Sequence, residues 1–246
     1  MRPLVIAVVI VMSVVANAQT PLPAPYCPAG KSPPSCGFLP SDTHVRRAEV
    51  TSSKLRSLLF ASYMKCVSRA VIQGSQARQI DFDTCITDAT TGAINRFNTL
   101  QSEPSCENFV LIALNLSTLS KTMGSKLYCN GTLPLDFGIA VRLPADPAVA
   151  RVERGASKLL VKEYQKIVRC YDNGVEALAT GKPPTIVRCV AKLGAVQARR
   201  VLRLDFGLPG FGSLGCFDEA TGTDIGHLLT QIDTAANLNS QIFCSM

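Results

Sequence analysis

Apolar residues in this chain recur at three- and four-residue spacings, and alternation at every second position is scarce, so the pattern predicts helices. The first predicted helix starts after Ser41 or Asp42, either a suitable N-cap. Its face carries Leu55, Leu58, Leu59, Ser62, Cys66 and Ala70, and Gly74 ends it. A second runs from about Asp81, with Phe82, Cys85, Ile86, Ala89, Ala93, Phe97 and Leu100 on one side. Pro104 and Ser105 stop it and cap a third, from Cys106 to about Lys126, with Phe109, Ile112, Ala113, Leu116 and Leu119 along its face. Asp146, followed by Pro147 at the first helical position, opens a fourth. There Val152, Ala156, Leu159, Leu160, Ile167, Cys170, Val175 and Leu178 run to a stop at Gly181. Pro183 and Pro184 open a fifth helix that includes Ile186, Cys189, Val190 and Leu193, and Asp224 begins a last one through His227 and Leu228. The predicted fold class is all-α.

Three stretches interrupt this grammar. Met1 to Ala18 has a basic start at Arg2, an apolar run from Leu4 to Val15 and a small-x-small end at Ala16 to Ala18, the pattern of a cleaved secretory signal. That run is too short for a membrane span, which needs about 20 apolar residues, and the mature chain is expected to have no transmembrane segment. Residues 19–40 hold seven prolines with Cys27 and Cys36 among them and read as an extended arm. Residues 131–145, with Pro134, Gly138 and Pro144, read as a linker. The expected organisation is therefore a signal peptide (1–18), a Pro-rich arm (19–40), helical unit 1 (41–130), a linker (131–145) and helical unit 2 (146–246).

Composition then fixes the expected compartment and class. The 246 residues are 47% hydrophobic and 17% charged, which excludes a disordered chain and predicts a real core. Of 25 basic residues, Arg2 leaves with the signal, so against 18 acidic ones the mature chain carries a moderate net charge of +6. Export to the periplasm or outside the cell turns ten cysteines into disulfide candidates: Cys27, Cys36, Cys66, Cys85, Cys106, Cys129, Cys170, Cys189, Cys216 and Cys244. Cys66 to Cys85 spans 19 positions, and so does Cys170 to Cys189. In both cases the first cysteine lies near the end of one helix and the second about one turn into the next, so a bridge can cross each hairpin. Each half adds two further cysteines, Cys106 and Cys129 or Cys216 and Cys244, and Lys65 or Arg169 precedes the first of each set. Between 62–97 and 166–201 only Val71 with Val175 and Arg96 with Arg200 match besides the cysteines, so duplication rests here on spacing.

The order of a base and a cysteine near a helix end, a small-residue turn, a cysteine early in the next helix, then Ser105–Cys106 or Gly215–Cys216, resembles a class of cysteine-bearing helical repeats in exported proteins of environmental bacteria. The resemblance covers roughly 50–130 and 150–244, implies a secreted helical repeat, and carries no activity or site residues.

Chemical motifs are few. Gly210, Gly212 and Gly215 spell a dinucleotide string, but no βαβ unit surrounds them. Asp-Phe-Gly at 136–138 and 205–207 lacks the other kinase elements. With no CxxC pair and only His44 and His227, the usual zinc and iron–sulfur spacings are missing, and no cofactor is expected. A hydrolytic trio of Ser213, Asp224 and His227 can be written, without the nucleophile's usual elbow sequence. Asp81 and Asp83 read as capping residues. Basic surface candidates are Arg199, Arg200 and Arg203, with Arg46–Arg47 and Arg151–Arg154 elsewhere, suited to an anionic polymer or an envelope surface. The lack of tryptophan disfavours a stacking platform for nucleic acid. Asn130 and Asn115 head N-x-[ST] acceptors, the first in a loop and usable, the second in an apolar helix and expected to be protected. The leading expectation is a secreted, non-enzymatic helical protein with a binding or envelope role. The alternatives are a carrier of a lipid or small hydrophobic ligand, and a hydrolase using His227.

Overall fold

The computed structural model describes residues 20–21, 38–40, 42–76, 81–100, 109–129, 131–132, 139, 141–183, 185–193 and 196. Four helices dominate: α1 (Thr43–Gly74), α2 (Phe82–Asn98), α3 (Phe109–Leu127) and α4 (Pro147–Ala179). A further helical stretch occupies 186–193. The strand content of the described residues is one antiparallel pair, β1 (Thr20–Pro21) with β2 (Phe38–Leu39). The all-α class therefore stands.

Capping sets where the helices start. The Asp42 carboxylate accepts from the His44 and Val45 amides at 2.5 and 3.3 Å, and Asp146 accepts from Ala148 at 2.7 Å with Pro147 next to it. Both satisfy amides that the first turn leaves without a helical acceptor. Asp81 caps α2 through the Thr84 amide at 2.9 Å and also accepts from the Thr84 hydroxyl.

α1 lies against α2, α3 and α4, and this changes which of its residues are buried. Periodicity predicts a single stripe through Leu55, Leu58, Leu59, Ser62, Cys66 and Ala70. Leu58 is instead 48% exposed, while Phe60, Tyr63, Met64, Val67 and Val71 join the core. A helix covered by three neighbours has no single wet face, so its buried positions form a broad band. Each fully buried side chain of this size contributes roughly 1.5–3 kcal/mol from burial. α3 packs tightly on α1 at Gly124, where a Cβ would stand 2.8 Å from Val67 Cγ1. α2 joins the start of α3 through the stacked rings of Phe97 and Phe109, with centroids 4.6 Å apart.

Cys66 is bonded to Cys85 and Cys170 to Cys189, with Cα atoms 5.9 and 5.8 Å apart. Each bridge ties a long helix to the helix after it. Closing loops of this size contributes about 3 kcal/mol in the chain-entropy account. Two disulfides fit an oxidising compartment, outside the cytoplasm. No helix among the described residues is long and apolar enough to cross a membrane.

α1 and α4 run antiparallel, because residue numbers rise along one as they fall along the other. The contacts are Arg46 with Glu176, Ser53 with Asp172, Phe60 with Tyr164, and Ser68 with Ser157. Cys66 and Cys170 are 104 positions apart, as are Asp42 and Asp146, and the start of α1 and the start of α4. Under the same offset Ser53–Asp172 maps onto Ser157–Ser68, and Phe60, with its ring centroid 4.6 Å from that of Tyr164, maps onto Tyr164 itself. The helices cross as if around a local two-fold axis between these two rings.

The described parts of the segment expected as a linker are pinned to this core. Val141 and Tyr128 are fully buried, Thr132 pairs with Leu143, and the Arg142 amide donates to the Tyr128 carbonyl at 2.6 Å. Gly131 permits the turn at φ +100°, where a Cβ would collide with the Leu143 carbonyl.

Candidate functional site

The seam between α1 and α4 is polar where an apolar stripe would be ordinary. Glu49 and Glu153, equivalent under the 104-residue offset, are 2% and 0% exposed, and Ser53, Arg56, Ser157, Glu163 and Asp172 are buried with them. Buried charge is costly to desolvate and persists only with partners. Arg56 Nε donates to the Tyr164 hydroxyl at 2.9 Å. Burial pushes the Tyr164 phenol up, and the Arg56 charge and hydrogen bond draw it partly back. At the far end of the seam Ser68 shares hydrogen bonds with Tyr128, 2.9 Å away, and with Ser157, 3.3 Å away.

One end of this seam opens into a cleft of about 310 Å³, walled by Arg47, Val50, Thr51 and Lys54 of α1 and by Arg169, Asp172, Asn173 and Glu176 of α4. Helical spacing explains the grouping: 47, 50, 51 and 54 lie on one side of α1, and 169, 172, 173 and 176 on one side of α4. Asp172 forms the floor at 3% exposure, accepting from Ser53, while its Oδ1 has no hydrogen-bond partner. Burial lifts the Asp172 carboxyl to about 7, opposed by the Ser53 hydrogen bond and the Lys54 and Arg169 charges and reinforced by Glu176. Glu176 is itself engaged by Arg46 at 3.5 Å. Arg47, Lys54 and Arg169 form no salt bridge among the described residues. The cleft is thus lined by three cations over one buried acid, with Val50 and the aliphatic stems of the charged side chains as its apolar surface.

A second cleft, about 490 Å³, lies over the Cys66–Cys85 bridge and is lined by Lys65, Arg69, Asp81, Thr84 and Asp88 among others. Here acids and bases are balanced on an exposed surface. Among the described residues no cluster of histidine, cysteine and carboxylate side chains could hold a metal ion.

The candidate residues named from the sequence are brought together only in part. Cys66, Cys85, Cys170 and Cys189 form the two bridges, and Cys129 is also disulfide-bonded. Cys27, Cys36, Cys106, Cys216 and Cys244 lie outside the described residues, as do Arg199, Arg200, Arg203, Ser213, Asp224, His227, Asn130, the glycine string and both Asp-Phe-Gly motifs. His44 is exposed at the start of α1. Asp81 caps α2, and Asp83 pairs with Lys121 at 3.7 Å. Of the two basic pairs, Arg47 lines the cleft and Arg46 is engaged with Glu176, whereas Arg154 Nε donates to the Ala150 carbonyl. Asn115, which the apolar helix pattern predicts to be protected, faces outward from α3. Sequence reasoning missed Asp172, Lys54 and the buried glutamates. The available signal was Glu49, Ser53, Arg56 and Phe60 continuing the core spacing of α1 with polar residues. No protein-family model, curated protein or solved structure matches this chain.

Proposed function

We propose that this is a secreted, non-enzymatic binding protein: two tandem, disulfide-braced helical units that hold a cation-lined cleft rigidly toward an anionic partner outside the cytoplasm. The observation that carries the reading is the cleft itself, where Arg47, Lys54 and Arg169 stand together without an ion pair among the described residues. Such a concentration of one charge attracts anionic ligands. Three cationic side chains in a hollow of about 310 Å³ suit a small anionic partner better than the lipid chain of the carrier reading.

Repetition supports the two-unit reading. Laid on each other at an offset of 104, α1 and α4 share Arg47 with Arg151, Glu49 with Glu153, Ser53 with Ser157, Lys54 with Lys158, Leu55 with Leu159 and Val71 with Val175, besides the cysteines and the Asp42 and Asp146 caps. These identities cluster upstream of the cysteines, where the buried seam lies. Export rests on the basic and apolar leader up to Ala18, with a mature start near Gln19, and is consistent with the two bridges. The kinship with cysteine-bearing helical repeats of exported bacterial proteins belongs to the same proposal.

The test is expression with the native leader, N-terminal sequencing, thiol titration and chromatography on anionic and neutral polymer matrices. The reading expects an N-terminus near Gln19, no free thiol in the folded protein, and retention on the anionic matrix that falls steeply with salt. Uncleaved protein with free thiols, or equal retention on both matrices, overturns it.

A further inference from the structure

We infer that the cleft between α1 and α4 binds a uronate unit, a sugar carrying one carboxylate beside its hydroxyl groups, either free or at the end of an acidic glycan. This deepens the proposed binding function and rests on it.

Three observations converge on that chemistry. Arg47, Lys54 and Arg169 supply positive charge on facing walls, and the two guanidinium forks match the two oxygens of a carboxylate. At about 310 Å³ the hollow is at the small end of ligand sites, the scale of a single sugar. Thr51 and Asn173 place a hydroxyl and a carboxamide on the facing walls above the buried Asp172. Both side chains can donate and accept hydrogen bonds, as the hydroxyl groups of a sugar require.

The opposite end of the same helix crossing supplies an internal precedent. Under the 104-residue offset Asp172 corresponds to Ser68 and Ser53 to Ser157. There the Tyr128 hydroxyl fills the equivalent place, bonded to Ser68 at 2.9 Å and also to Ser157. The crossing thus seats a hydroxyl group of its own chain at one end, and among the described residues a cleft stands at the other. A carboxylate fits better than a phosphate dianion, since a second negative charge would stand over the Asp172 floor and beside Glu176.

The test uses the full chain with intact bridges and follows glucuronate, a tetragalacturonate, glucose, acetate and inorganic phosphate by ligand-observed and protein-observed NMR. Glucuronate is expected to bind at least about tenfold tighter than glucose or acetate, as loss of a charge-assisted or hydroxyl contact implies. Arg169→Ala and Lys54→Ala, both at exposed positions that leave the fold intact, are each expected to weaken it about tenfold. Tighter binding of the tetramer assigns the glycan end as the source, and equal binding assigns the free acid. Acetate binding as well as glucuronate, phosphate binding better than either, or indifference to both substitutions overturns the inference. Conversion of glucuronate to a new species would instead overturn the non-enzymatic reading and leave the site standing.

Discussion

Asp172→Asn is expected to stabilise the protein at alkaline pH and to leave it nearly unchanged at acidic pH. The folded chain holds the Asp172 proton up to about 7, against an ordinary 3.8. Between those values the folded state binds more protons than the unfolded state, so stability falls as pH rises through the window and levels off above it. Just over three powers of ten in proton affinity, at about 1.4 kcal/mol each, amount to about 4 kcal/mol at full deprotonation. Asparagine resembles the neutral acid, can still accept from Ser53, and removes the charge. Denaturant melts of both proteins with intact disulfides, at several values from pH 4 to pH 9, give the difference directly. Other titrating groups cancel in that difference. The two should coincide near pH 4 and diverge toward about 4 kcal/mol above pH 8, equivalent to roughly 8–16 °C in Tm for a chain of this size. A constant offset across the range, or a variant less stable at pH 8, would refute the account of a desolvated acid.

Three further outcomes follow from packing. Replacing Cys66 and Cys85 together by alanine should cost about 3 kcal/mol, measured by denaturant melts, with Cys170–Cys189 still formed by peptide mapping. Gly124→Ala would force a methyl group against Val67 and should cost about 1–3 kcal/mol in the same assay, unlike an exposed Gly92→Ala, which meets nothing within 4 Å. Phe60→Ala removes a fully buried ring at the α1–α4 crossing and should cost about 3–5 kcal/mol, with near-ultraviolet circular dichroism reporting the altered surroundings of Tyr164.

Much of the fold is readable from the chain because local signals and burial agree in it. Asp42, Asp81 and Asp146 each mark a helix start by a hydrogen bond that the residue type alone implies. The paired 19-residue spacings lead to both hairpin bridges for a geometric reason, since antiparallel neighbours bring those positions to similar heights. The face of α1 is misjudged because periodicity reports one wet side, whereas this helix is covered by three others. The cleft is invisible for a different reason. Asp172 and Lys54 are 118 positions apart and meet only through the antiparallel crossing, which no local pattern encodes. Buried acids such as Glu49 and Glu153 pass for solvent-facing residues until the neighbouring helix is in place.

The near-symmetric crossing of α1 and α4 has a consequence for valency. Two identical subunits about such an axis must display every feature twice, whereas two helices of one polypeptide need not match at every position. Ser68 and Asp172 hold matched places with unlike side chains, as do Leu160 and Arg56. Among the described residues the place beside Ser68 is taken by Tyr128, so on the proposed binding role this crossing presents its cleft at one end, and clustering on a polymeric target would require several molecules arriving independently.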